Sequence, residues 1–90
     1  MPTLRIPTHL RSHTEEQREV RVSGDTVAKI LADFATRYPA VRPHVFDENG
    51  ELRPFVNLFL NDEDVRFLQG TETHVNEDDR LMLLSTVAGG

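Results

Sequence analysis

The chain contains no cysteine. It therefore cannot be a disulfide scaffold, and it carries no thiolate nucleophile, no persulfide and no zinc-thiolate site. Any sulfur chemistry it takes part in must use another atom. Long apolar runs are missing as well. The N-terminal segment Met1-Pro2-Thr3-Leu4-Arg5-Ile6 lacks the apolar stretch of a signal peptide, and nothing approaches the ~20 apolar residues of a membrane span. A soluble cytoplasmic protein with no membrane partner is expected. Positive charge is scarce: fifteen acids against ten bases leave a net charge of −5, and no basic stripe is interleaved with aromatics. That argues against nucleic acid as the main partner and favours a basic protein surface. Length makes the last exclusion. A chain of 90 residues forms one small domain that buries only roughly 60 to 65% of its unfolded surface, which leaves no room for an enclosed catalytic site.

What is present is a well-punctuated pattern. Leu4-Arg5-Ile6 and Arg18-Glu19-Val20-Arg21-Val22 alternate polar with apolar, as the two strands of a half-buried hairpin do, across a long polar stretch from Pro7 to Gln17 whose register the sequence does not fix. Ser23-Gly24-Asp25 breaks that pattern, and either Asp25 or Thr26 can cap a helix. Val27, Ile30, Leu31, Phe34 and Tyr38 then form one apolar stripe at helical spacing, with Lys29, Asp33 and Arg37 on the other side and Pro39 as the stop. Ala40 to Phe46 predicts a helical turn or irregular crossover, and Asp47 to Glu51 an exposed turn.

The strongest strand signal is Phe55-Val56-Asn57-Leu58-Phe59-Leu60, whose wholly aliphatic face, Val56, Leu58 and Leu60, is the expected core face. Asn61 to Asp64 turns the chain, Val65-Arg66-Phe67 is read as a short edge strand, and Asn76 to Asp79 turns it again before a final strand through Leu81, Met82, Leu83 and Leu84. One helix and short-connected strands pack best as a two-layer α+β domain, the helical stripe laid across a mixed sheet. Residues 1–86 form that domain, and residues 87–90 a tail.

The tail is the chemical clue. Val87-Ala88-Gly89-Gly90 follows the last strand directly, and two residues without a Cβ give a thin peptide that can thread a narrow enzyme channel and present its own α-carboxylate. The bland alternative is a frayed, silent terminus. Strand parity adds a surface. If Leu81, Leu83 and Val87 face the core with Val56, Leu58 and Leu60, then Met82, Leu84 and Phe59 emerge on the opposite face as an exposed apolar cluster, a candidate docking surface with Asp62 and Glu63 at its polar rim. The rival reading covers that face with the Pro7 to Gln17 loop or with a second copy.

Ile6-Pro7-Thr8 with Leu10-Arg11, Ser23-Gly24-Asp25-Thr26, Phe55-Val56-Asn57, the run from Asn61 to Phe67, and Val87-Ala88-Gly89-Gly90 together resemble the MoaD/ThiS family of ubiquitin-like sulfur carriers, over nearly the whole chain. Within it they are most similar to the branch that serves cysteine biosynthesis. Molybdopterin-type carriers often place a proline pair before the tail, where this chain has Ser85-Thr86. The resemblance implies a β-grasp fold, a mixed sheet of four to five strands on one main helix. It also implies a carrier and not an enzyme: an ATP-dependent activating enzyme adenylates the Gly90 carboxylate, and a sulfur donor converts it to a thiocarboxylate. The implied acceptor is a pyridoxal-phosphate cysteine synthase, with a metalloprotease releasing the product. A thiazole or thiosugar synthase, molybdopterin assembly and protein modification are the alternatives. ATP and pyridoxal phosphate belong to the partners, so the chain needs no cofactor of its own.

Other candidate chemistry is weaker. His9 and His13 stand four apart in a proline-flanked loop without a third ligand, so no metal site is expected, and His44 and His74 read as surface residues. Ser12, Ser23 and Ser85 have no triad partners.

Overall fold

The computed structural model describes residues 1–85. Strands β1 (Thr3–Arg5) and β2 (Glu19–Arg21) pair antiparallel with Leu4 opposite Val20, so the alternating pattern does make a hairpin. Strands β3 (Val56–Leu60), β4 (Glu63–Asp64) and β5 (Arg80–Ser85) complete a five-stranded sheet in the order β2-β1-β5-β3-β4. The last strand is central: β5 runs parallel to β1 and antiparallel to β3. Helix α1 (Val27–Arg37) lies across one face of this mixed sheet, the two-layer β-grasp arrangement that the pattern predicts.

The helix is set by its first turn. Thr26 is the cap, its hydroxyl accepting the Lys29 amide hydrogen at 3.3 Å, while Asp25 pairs with the Lys29 ammonium at 3.1 Å. Just before it, Gly24 has φ of +148°, and a Cβ there would stand 2.8 Å from the Lys29 Cβ, so only glycine lets the strand end so close to the helix. Val27, Ile30, Leu31 and Phe34 are buried against Leu4, Ile6, Leu58, Leu81 and Leu83, and Tyr38 packs half-buried at the end of the stripe. Beyond Pro39, a 3-10 turn (Pro39–Val41) and the short helix α2 (Arg42–Val45) bury Val41 and Val45, which keeps the crossover helical. The Asp47 carboxylate accepts the amide hydrogens of Asn49 and Glu51 at 2.8 and 3.0 Å and forms the exposed turn.

Two segments depart from the expectations. The Pro7 to Gln17 stretch is not a plain loop: Thr8–His13 is a 3-10 helix that sends Leu10 into the core. Thr14, fully buried, donates its hydroxyl toward the Arg11 and Gln17 carbonyls at 3.3 Å, Gln17 donates to the Tyr38 hydroxyl at 3.0 Å, and the His13 ring stacks on His44 with centroids 4.3 Å apart. This segment packs on the helical layer, so it does not cover the other face of the sheet. Val65–Phe67, expected as an edge strand, is a 3-10 turn, and the edge strand is the two-residue β4 before it. The reason is local: the Asp64 side chain caps the turn by accepting the Arg66 amide hydrogen at 2.9 Å, which offers the backbone an alternative to the ladder.

Candidate functional site

Register fixes what the uncovered face of the sheet presents. Met82 on β5 lies between Arg5 on β1 and Phe59 on β3, and Phe59 in turn lies opposite Asp64 on β4. One step along, Leu84 stands opposite Asn57. Cross-strand partners share a face, so Phe59, Met82 and Leu84 do form one apolar cluster away from the helix. All three are half-buried, not exposed as the sequence suggests, because side chains on a central strand are flanked from both sides. Asn57 sits among them with its Oδ1 buried and accepting no hydrogen bond among the described residues.

The two ends of this cluster differ. At one end β5 finishes with Ser85 paired to Val56, the first residue of β3, so whatever follows leaves from that edge of the apolar surface. Thr86, Val87, Ala88, Gly89 and Gly90 lie outside the described residues. The tail's inward Val87 and the thiocarboxylate position thus belong to the sequence reading.

At the other end, four residue steps or about 13 Å along β3, Asn61 and Asp62 make the turn to β4. Both have positive φ, 50° and 73°, the two-residue hairpin geometry in which asparagine and aspartate replace glycine at least cost. Asn61 is locked to the start of β5: its side-chain amide donates to Asp79 at 2.9 Å, and its side-chain oxygen accepts the Arg80 amide hydrogen at 3.0 Å. Asp62 and Glu63 are exposed here, at the far end of the strand from the tail's exit.

Next to them is a feature the sequence reading missed. The Asp64 carboxylate, nearly buried, receives the Arg66 guanidinium at 2.9 Å from Nη2 and 3.3 Å from Nε, in addition to the amide hydrogen of the same residue. These bonds, the side-chain ones foremost, hold the Asp64 carboxyl below its ordinary pKa and hold the Arg66 guanidinium more firmly protonated. Beyond the brace, Phe67 is 82% exposed. The signal that could find it is Asp-x-Arg, a side-chain cap followed by its own counter-ion, which competes with the β-propensity of Val65 to Phe67.

Elsewhere, an open groove of about 840 Å³ lies between α1 and residues 46–53, with Ala28, Ala32, Phe46 and Leu52 in its walls and Arg42, Arg53, Glu48 and Glu51 at its edges. It is on the helical side of the sheet. Among the described residues no helix is long and apolar enough to cross a membrane.

The sequence matches the profile of the ThiS family over residues 4–90. It is 41% identical over 90 residues to the sulfur carrier protein CysO of Mycobacterium tuberculosis (strain ATCC 25618 / H37Rv), covering 98% of this chain and 97% of that protein. A chain in the crystal structure of the Amycolatopsis orientalis BexX/CysO complex superposes with a TM-score of 0.89 at 40% identity, with 100% of both chains covered. Small archaeal modifier protein 3 of Haloferax volcanii is 32% identical over 71 residues, or 78% of this chain and 76% of that one.

Proposed function

Because this chain belongs to the ThiS family, we propose that it is a cytoplasmic sulfur carrier whose working atom is the carboxyl carbon of Gly90. An activating enzyme joins the Gly90 carboxylate to the adenylyl group of ATP and releases pyrophosphate. A sulfur donor then displaces AMP, and the carboxylate becomes a thiocarboxylate. The sulfur so held is a softer nucleophile than the carboxylate oxygen it replaces and can attack an electrophile bound by an acceptor enzyme. The chain is a co-substrate and supplies no catalytic group.

The single observation that carries this reading is the place of β5. A strand paired on both sides, to β1 and to β3, anchors the segment that ends in Gly89 and Gly90 at the middle of the sheet. A partner that binds the open face therefore has the tail delivered from a fixed point. Phe59, Met82 and Leu84 are the apolar centre of that docking face, with Asp62 and Glu63 at its far rim. Ala88 and Gly89 keep the last residues narrow enough for a channel.

Similarity to a cysteine-branch carrier at 41% identity supports cysteine biosynthesis as the destination. The acceptor is then a pyridoxal-phosphate cysteine synthase, and a metalloprotease frees the product from the tail. A second reading, conjugation of Gly90 to protein amines, is favoured by the similarity to a small archaeal modifier protein.

Two variants test the assignment. Deleting Gly90 is expected to abolish ATP–pyrophosphate exchange by the activating enzyme while leaving the melting curve unchanged, since it removes none of the buried core side chains of the described residues; exchange at the wild-type rate would exclude a role for Gly90. Leu84→Asp is expected to give a folded monomer whose KM for activation rises by about 10-fold or more, the loss expected on placing a charge in an apolar interface centre. Activation at wild-type KM, or an unfolded variant, would remove Leu84 from the docking face.

A further inference from the structure

Phe67 breaks the economy of this small domain. Among the described residues it is the most exposed large apolar side chain, at 82%, followed at a distance by Met1 at 50% and Leu68 at 37%. Single exposed apolar residues are ordinary on protein surfaces. What sets Phe67 apart is the rigidity of the backbone that presents it. On its N-terminal side, Val65 is 3% exposed and rooted in the core, and Asp64 is clamped by both the amide and the guanidinium of Arg66. On its C-terminal side, the Leu68 amide hydrogen is donated to the Val65 carbonyl at 3.0 Å and the Gln69 amide hydrogen to the Thr73 hydroxyl at 3.0 Å. An aromatic ring with two rotatable bonds, held out by a braced turn, loses little conformational freedom when it enters a pocket. That is the property of an interface anchor.

Its place in the fold says which interface. Asp64, at the root of the turn, lies opposite Phe59, and Phe59 opposite Met82, so the turn leaves the sheet at its β4 edge, beside the row that carries the docking face. The charge around it is one-sided. Arg66 is neutralised by Asp64, whereas Asp62 and Glu63 in the adjoining hairpin are exposed and without ion-pair partners among the described residues. A chain with a net charge of −5 thus offers an aromatic ring beside two unpaired carboxylates.

We propose that Phe67 is an anchor for the activating enzyme, entering an apolar pocket of that enzyme whose lip carries lysine or arginine side chains facing Asp62 and Glu63. The proposal rests on the docking face assigned above and extends it. The enzyme holds the carrier at two separate points, the tail that follows the central strand and Phe67 beyond the β4 edge, which fixes the direction in which Gly90 is presented and contributes affinity from a site apart from the reacting carboxylate.

The test is the steady-state rate of pyrophosphate release by the activating enzyme as the concentration of full-length carrier is varied. Phe67→Ala is expected to raise KM by about 30-fold, the size of an aromatic hot spot, with kcat and the melting temperature unchanged; Phe67→Trp is expected to restore most of the affinity. The wild-type KM should also rise with salt, and less so in Asp62→Asn/Glu63→Gln. Wild-type KM for Phe67→Ala alongside a raised KM for Leu84→Asp would overturn the anchor and keep the docking face. Wild-type KM for both would overturn the face itself. A lowered melting temperature for Phe67→Ala would make the ring structural and overturn the anchor as well.

Discussion

Phe34 has no exposed surface and lies at the centre of the buried stripe of α1, with its ring tilted against Tyr38 at a centroid distance of 5.9 Å. Truncating it removes a large apolar volume that neighbours on both layers cannot refill. Phe34→Ala is therefore predicted to cost about 3 to 5 kcal/mol, a large part of the about 5 to 15 kcal/mol that holds a domain together. Urea denaturation measures it directly, and a midpoint equal to that of the wild type would contradict the packing. At this scale most of the core was legible, because burial follows periodicity: Val27, Ile30 and Leu31 on the helix and Val56, Leu58 and Leu60 on β3 are all buried as their spacing predicts. Positions governed by one hydrogen bond were not. Whether Asp25 or Thr26 caps α1 depends on which side chain reaches the Lys29 amide, and nothing in the spacing distinguishes them.

Among elements, those defined by a sustained period are the ones the sequence specifies, and those of two or three residues are not. Val65-Arg66-Phe67 has the composition of a strand, yet the Asp64 cap and its Arg66 counter-ion win over so short a stretch and fold it into a 3-10 turn. Leu10 is similar: one leucine in a polar stretch has no period, and only the tertiary structure shows that it draws the 3-10 helix onto the core. The Asp64 brace makes a prediction of its own. In the unfolded chain this carboxyl titrates at its ordinary value of 3.8, and in the folded chain it titrates lower. Its stabilisation of the turn is therefore complete above the ordinary value and is lost as the pH falls through the depressed one. An NMR titration of the Asp64 carboxyl carbon should show a midpoint below 3.8 that returns toward 3.8 in Arg66→Ala; a wild-type midpoint at or above 3.8 would contradict the brace.

For the whole molecule, what matters is that the sheet has one covered face and one open face, and that its central strand is also the last among the described residues. The sequence made both legible. Parity along Leu81 to Leu84 separates the faces, and the strand signal over those residues lies directly before the Val87-Ala88-Gly89-Gly90 segment. What could not be read was the β4 edge of the sheet, where an exposed aromatic is presented by the Asp64–Arg66 brace. We propose that this architecture presents one carboxylate, that of Gly90, for exchange of oxygen by sulfur. Intact-mass measurement of the full-length chain after incubation with ATP, its activating enzyme and a sulfide source tests it most directly. A single exchange of oxygen for sulfur is expected, localised by fragmentation to Gly90 and absent when ATP is withheld; an unchanged mass in the presence of an enzyme shown to be active would contradict the carrier role.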